Sequence, residues 1–160
     1  MRTSFKTYRA FFKQFSEKEI NSIEKTSILF VDDEEDNLSL FKRVIKKSDL
    51  EIYTTLDPIE AIQMINKYSI DIISVDIRMP EMDGLELIEY IEKNIKTKKV
   101  ILIISAFLEK RILVNNKKVN YHTFAGYIGK PFNYKYLLKL LTKYDLRIRR
   151  RKLFNKFKNS

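Results

Sequence analysis

The 160-residue sequence has no cysteine, which rules out a disulfide framework and a thiolate metal site and suits a reducing compartment. Its single histidine, His122, leaves no imidazole cluster for a softer metal and reads as a surface or packing residue. Only three glycines occur, and no Gly/Ser linker, low-complexity tract or internal repeat divides the chain. The longest apolar stretch, Val100 to Phe107, falls well short of the roughly 20 residues that span a bilayer. After Met1-Arg2 the sequence alternates aromatics with bases, unlike the apolar core and small-residue cleavage site of a secretory signal. These absences make a cytoplasmic protein with one main domain the expectation.

What is present agrees with a folded chain: 44% of residues are hydrophobic and 32% charged. The net charge of +10 suggests nucleic acid until it is divided along the sequence. Residues 1–25 hold six basic and three acidic residues, and residues 143–160 hold eight and one. The segment 26–142 has 17 of each, so the excess sits wholly in the two ends. This division sets the expected organisation: an N-terminal extension (1–25), a domain (26–142) and a basic C-terminal extension of the last helix (143–160).

Residues 3–24 place Phe5, Tyr8, Phe11, Phe12 and Phe15 at helical spacing among bases, which predicts an amphipathic helix. Its aromatic stripe would pack on the body of the protein or on a second copy, with a partner protein or a membrane surface as alternatives. From Thr26, short apolar runs alternate with longer amphipathic stretches. Ser27–Val31, Ile52–Leu56, Ile70–Val75, Val100–Ile104 and Phe124–Gly129 read as strands, the second towards a sheet edge. Helices are expected after each, with Asp57 as an N-cap before Pro58, over 107–122, and from Tyr134 to Leu141 onward. Five strand–helix units imply an α/β fold, a doubly wound parallel sheet with helices on both faces.

In a parallel sheet all strands finish at one edge. Asp32-Asp33, Asp76, Ser105 and Lys130 stand at four such ends and are brought to one rim, where ligand chemistry collects in open sheets. Singly each has an ordinary explanation as a helix cap, a turn residue or a solvated charge. Together, three carboxylates repel one another and call for positive charge between them. Lys130 and a hard divalent cation supply it, and Mg²⁺ suits oxygen ligands and phosphate chemistry. Asp76 is then a nucleophile towards phosphorus, forming an aspartyl-phosphate, with the Ser105 hydroxyl and Lys130 facing the phosphoryl oxygens. Phosphorylation adds up to about one negative charge there, to which Ser105 and Lys130 must respond.

Asp32-Asp33 after Ile28-Leu29-Phe30-Val31, Asp76 before Met79-Pro80-Glu81-Met82-Asp83-Gly84, Ser105-Ala106, and Tyr127-Ile128-Gly129-Lys130-Pro131-Phe132 together resemble the receiver domain of two-component response regulators over about residues 26–142. The resemblance implies a flavodoxin-like sheet of order 2-1-3-4-5. It implies Asp76 as phosphoacceptor and Asp33 as a direct Mg²⁺ ligand. Asp32 would act through water, and Asp76 and the main-chain carbonyl of Arg78 complete the set. Ser105 is then the switch hydroxyl, Lys130 the phosphoryl-binding lysine and Tyr127 the aromatic that moves with Ser105, and the Lys130–Pro131 peptide is cis. It also implies a histidine kinase or histidine phosphotransfer protein as partner, and a downstream protein target contacted through the fourth helix, fifth strand and fifth helix.

Arg78 departs from the family pattern with a long cation beside the site, as does Thr123-Phe124 where a small pair is usual. No output domain follows Leu141, so the expectation is a single-domain regulator, not an enzyme beyond its own phosphorylation and dephosphorylation. The Arg147-to-Lys152 cluster reads first as a solvated, frayed tail, with an acidic protein surface, nucleic acid or anionic lipid as alternatives; sequence-specific DNA binding is not expected without a helix-turn-helix. Two rivals remain: a degenerate receiver acting as a structural or dimerising module, and a haloacid-dehalogenase-like phosphatase. The second wants an acid two residues after its nucleophile, where Arg78 stands.

Overall fold

The computed structural model describes residues 15–96, 98–106 and 124–158. They form a five-stranded, all-parallel sheet of order β2-β1-β3-β4-β5. The strands are β1 (Thr26–Val31), β2 (Leu50–Thr55), β3 (Ile72–Val75), β4 (Val100–Ser105) and β5 (Phe124–Gly129). The described helices are α1 (Glu17–Asn21), α2 (Glu35–Ile45), α3 (Pro58–Lys67), α4 (Gly84–Asn94) and α5 (Tyr134–Lys158). The helix expected over 107–122, with His122, lies outside the described residues, as do Phe5 to Phe12.

Strand residues alternate between two cores because successive side chains point to opposite faces. Leu29, Val31, Ile73, Val75, Ile101 and Ile103 pack against Ala61 and Ile65 of α3 and Leu87, Ile88 and Ile91 of α4. Ile28, Phe30, Ile72, Leu102 and Ile104 pack against Leu38, Phe41 and Ile45 of α2 and Leu137, Leu141, Tyr144 and Ile148 of α5. Coverage on both faces explains the unbroken apolar runs in β1 and β3, buried at every position. β2 lies at an edge and is only partly buried, as its weaker pattern suggests.

Two expectations are corrected at the ends. The amphipathic pattern over 3–24 does not make one continuous helix among the described residues. Ser16 is extended and caps a new helix: its hydroxyl accepts from the Glu19 N–H, and the Glu19 carboxylate accepts from the Ser16 N–H. α1 ends at Asn21.

The Arg147-to-Lys152 segment is not a frayed tail. α5 runs unbroken for 25 residues, about 37 Å, and its last turns pack on the domain. Arg149 is 2% exposed; its Nε donates to Asp145 Oδ1 at 2.8 Å and its Nη2 to Asp49 Oδ2 at 2.9 Å and the Asp49 carbonyl at 2.7 Å. Lys152 Nζ meets Asp71 Oδ2 at 2.7 Å. Ile148 and Leu153, which flank these cations in sequence, are buried, and the Phe157 ring centroid lies 5.2 Å from that of Phe15.

Candidate functional site

Strand register builds the site. Val31 pairs with both Thr55 and Val75, Val75 with Ile103, and Ser105 with Gly129. Asp32 and Asp76, the next residues of β1 and β3, therefore emerge level at one edge of the sheet, and Lys130, after Gly129, leaves the same edge two residues further along. Asp76 N–H donates to the Val31 carbonyl at 3.0 Å and Lys130 N–H to the Ser105 carbonyl at 2.9 Å, extending the ladders one step past the strands.

Asp32, Asp33 and Asp76 each bring a carboxylate oxygen to within 4.8 Å of the others. Asp32 and Asp76 are buried and Asp33 is exposed. Asp32 Oδ1 accepts from the Glu34 N–H at 3.2 Å and from Asn37 Nδ2 at 2.8 Å, and Asp76 Oδ1 accepts from the Arg78 N–H at 3.4 Å. Lys130 Nζ lies between the buried pair, 2.7 Å from Asp32 Oδ2 and hydrogen-bonded to Asp76 Oδ2. Burial pulls the Lys130 pKa down, but the hydrogen bonds to Asp32 and Asp76 outweigh it and hold the pKa above the ordinary lysine value. One ammonium against three carboxylates leaves net negative charge. Clustered oxygens with no nitrogen or sulfur donor among the described residues fit a hard cation.

The loop after β3 fixes where Asp76 stands. A Cβ added at Gly84 would lie 2.0 Å from the Asp76 carbonyl oxygen, so no other residue permits this approach of α4 to the strand end. The Gly84 N–H donates to the Ile77 carbonyl at 2.8 Å, and Asp83 caps α4 reciprocally with Glu86. Ile77 and Met79 are buried, anchoring the loop in the core, while Glu81 takes a positive φ of 66° at the turn. The Arg78 side chain is exposed.

On the other side, Ser105 is buried, and the Tyr127 hydroxyl donates to its carbonyl at 2.9 Å. The Tyr127 pKa is raised by burial and by the nearby Asp76 charge, with Lys130 opposing. The Lys130–Pro131 peptide is cis. Beyond it Phe132 stacks on Phe41 at 5.2 Å and Phe41 on Phe30 at 4.4 Å, tying the Lys130 turn to the core.

The structure thus gathers Asp32, Asp33, Asp76 and Lys130, with Ser105 and Tyr127 joined to them through the Ser105–Lys130 backbone. Sequence reasoning missed Asn37, which holds Asp32; its signal was a lone amide in the first turn of the helix that follows the acid pair. It also passed over the reason for Gly84, a close approach that only packing reveals.

Comparison with known proteins agrees with this fold. The sequence profile described as "Response regulator receiver domain" matches residues 28–142. The chain is 25% identical over 119 residues to the polar-differentiation response regulator DivK of Brucella anthropi, covering 74% of this chain and 94% of DivK. The chemotaxis protein CheY4 of Vibrio cholerae superposes with a TM-score of 0.65 at 26% identity, over 75% of this chain and 98% of CheY4. The signal receiver domain of a putative LuxO repressor protein from Vibrio parahaemolyticus superposes with a TM-score of 0.70 over 86% of this chain and 99% of that domain; at 22% identity it speaks for the fold.

Proposed function

The chain belongs to the response regulator receiver family, and from that premise we propose that Asp76 accepts a phosphoryl group from a phosphohistidine of a histidine kinase or phosphotransfer protein. An Asp76 carboxylate oxygen forms the new P–O bond as the P–N bond breaks, and the departing imidazole nitrogen takes up a proton. Asp32, Asp33 and Asp76, with the Arg78 main-chain carbonyl, would hold Mg²⁺, which when bound offsets charge on the phosphoryl oxygens.

The chain's own groups do the rest. Lys130, now between Asp32 and Asp76, moves onto a phosphoryl oxygen once Asp76 is phosphorylated, and Asp32 keeps the ammonium charged and near. The Ser105 hydroxyl donates to a second oxygen. Because the Tyr127 hydroxyl is tied to the Ser105 carbonyl, a shift of Ser105 loosens Tyr127 and alters the surface of β5 and α5 on which a protein target docks. Arg78 is placed to steer the donor or set the lifetime of the aspartyl-phosphate.

The observation that carries this reading is Lys130 Nζ bridging Asp32 and Asp76 inside the acid cluster. Intact-mass measurement after acetyl phosphate and Mg²⁺ tests it: one phosphoryl adduct on the wild type and none on Asp76→Ala. Equal labelling of both proteins refutes it.

A further inference from the structure

At the opposite edge of the sheet, where β3 and β4 begin, the charge reverses. An open cleft of about 650 Å³ lies between the end of α3, the residues leading into β3 and β4, and the last turns of α5. Its walls carry Lys67, Lys98, Lys99, Arg151 and Lys152 against one carboxylate, Asp71. That size is typical of a small-ligand site.

Asp71 is already engaged. Its Oδ2 accepts from the Ser27 N–H at 3.1 Å and the Ser27 hydroxyl at 3.3 Å as well as from Lys152 at 2.7 Å, so Lys152 is the one cation of the cleft that it pairs with directly among the described residues. Lys99 Nζ donates to the Ile70 carbonyl at 2.6 Å, a neutral partner. Burial lowers the Lys99 pKa, opposed by Asp71 and reinforced by Arg151 and Lys152. Lys67 Nζ lies 5.1 Å from the Tyr68 ring centroid. Among the described residues, Lys67, Lys98 and Arg151 have no acidic partner. Elsewhere Lys25, Lys93, Lys130 and Arg149 each meet a carboxylate. Unpaired cations converging on a concavity repel one another unless an anion enters.

We propose that this cleft binds a diphosphate, either free pyrophosphate or the diphosphate of a nucleotide. The three unpaired cations come from three elements and surround the space. A monophosphate, at about −1.5 to −2, leaves at least one of them unmatched, whereas a second phosphoryl group brings the charge close to theirs. The Arg151 guanidinium presents the fork that matches two phosphate oxygens, and the Asn155 amide adds a neutral donor. The bounded volume suits a small ligand better than a duplex or a folded partner. Bound there, a diphosphate ties the last turns of α5 to the entries of β3 and β4.

Calorimetric titration of the full chain tests this, in Mg²⁺-free buffer at constant ionic strength, with sodium pyrophosphate, ADP, orthophosphate and sulfate. Pyrophosphate is expected to bind at one site at least about tenfold more tightly than orthophosphate or sulfate. Lys98→Ala/Arg151→Ala is expected to weaken it by roughly tenfold or more. Lys98 is exposed and Arg151 half-buried with no acidic partner, so the fold should survive; circular dichroism verifies that, and charge reversal at exposed Lys67 (Lys67→Glu) provides an independent arm with the same expected loss. Asp76→Asn is expected to bind as the wild type does, separating this cleft from the acid site. ADP matching pyrophosphate assigns a nucleotide, and ADP failing where pyrophosphate binds assigns the free anion. Pyrophosphate no tighter than sulfate, or unchanged affinity in the cleft variants, overturns the proposal. So does a DNA fragment whose binding those variants abolish while pyrophosphate shows none.

Discussion

β3 carries a buried aspartate at each end of its short apolar run, and each meets a lysine from the C-terminal part of the chain. At the entry, Asp71 pairs with Lys152; at the exit, Asp76 pairs with Lys130. The difference lies in the remaining lone pairs and neighbouring charge. Asp71 also accepts two bonds from Ser27 and belongs to no acidic cluster among the described residues, so it acts as a structural clamp. Among the described residues Asp76 has only the Lys130 bond and a 3.4 Å contact from the Arg78 N–H, and it stands against two more carboxylates. A buried acid with three donors converging on one oxygen stabilises; one with fewer donors beside like charges is available for chemistry.

The largest expected effect comes from the close packing behind the exit. Gly84→Ala forces a methyl group against the Asp76 carbonyl and should destabilise by about 3 kcal/mol, read from urea unfolding, and slow phosphorylation of Asp76. Unchanged stability would show that the α4 approach is looser than its geometry implies. Next, Asp71→Ala removes the nearest carboxylate from Lys152 and the acceptor of the Ser27 N–H and should cost about 2 kcal/mol, reduced because Lys152 is 21% exposed and keeps Glu24 at 3.8 Å. Asp76→Asn relieves like-charge crowding and should leave stability unchanged or raised by up to about 1 kcal/mol. Equal losses from the two substitutions would erase the contrast between the ends of β3.

Smaller than the Asp71→Ala loss, Mg²⁺ at ten times its dissociation constant should stabilise the wild type by about 1.4 kcal/mol, seen as a rise in Tm. Asp33→Ala should abolish most of that rise, because Asp33 is the exposed member of the trio. A rise that survives in the variant would place the ion elsewhere. The weakest effect belongs to Asp49, at the entry to β2. Hydrogen bonds from Lys25 and Arg149 hold its pKa below the ordinary carboxylate value. Its contribution is therefore present above the unfolded-state pKa and is lost as pH falls through the lower folded value. Asp49→Asn should flatten that acid arm of the stability curve; an unchanged arm would assign it to other groups.

Much of the site was legible before folding was considered, because parallel strands all finish at one edge and the apolar runs show where each one stops. The clamp at the other edge was not. Four consecutive residues, Arg149 to Lys152, look alike in a one-dimensional reading, and the helical turn alone selects Arg149 for burial against Asp49 and Lys152 for Asp71. The aromatic pattern over 3–24 likewise concealed a new helix start at Ser16, where a capping box outweighs the amphipathic period.

By itself the sequence determined the strand–helix alternation, the doubly wound class and the acids, alcohol and amine at the strand ends, because these follow from local periodicity and chain direction. Tertiary structure alone decided that Lys130 lies between Asp32 and Asp76, that Gly84 admits no side chain, and that the basic end of α5 closes over the sheet and leaves a cationic cleft. Those outcomes depend on distances between residues far apart in sequence, and packing, not pattern, sets such distances.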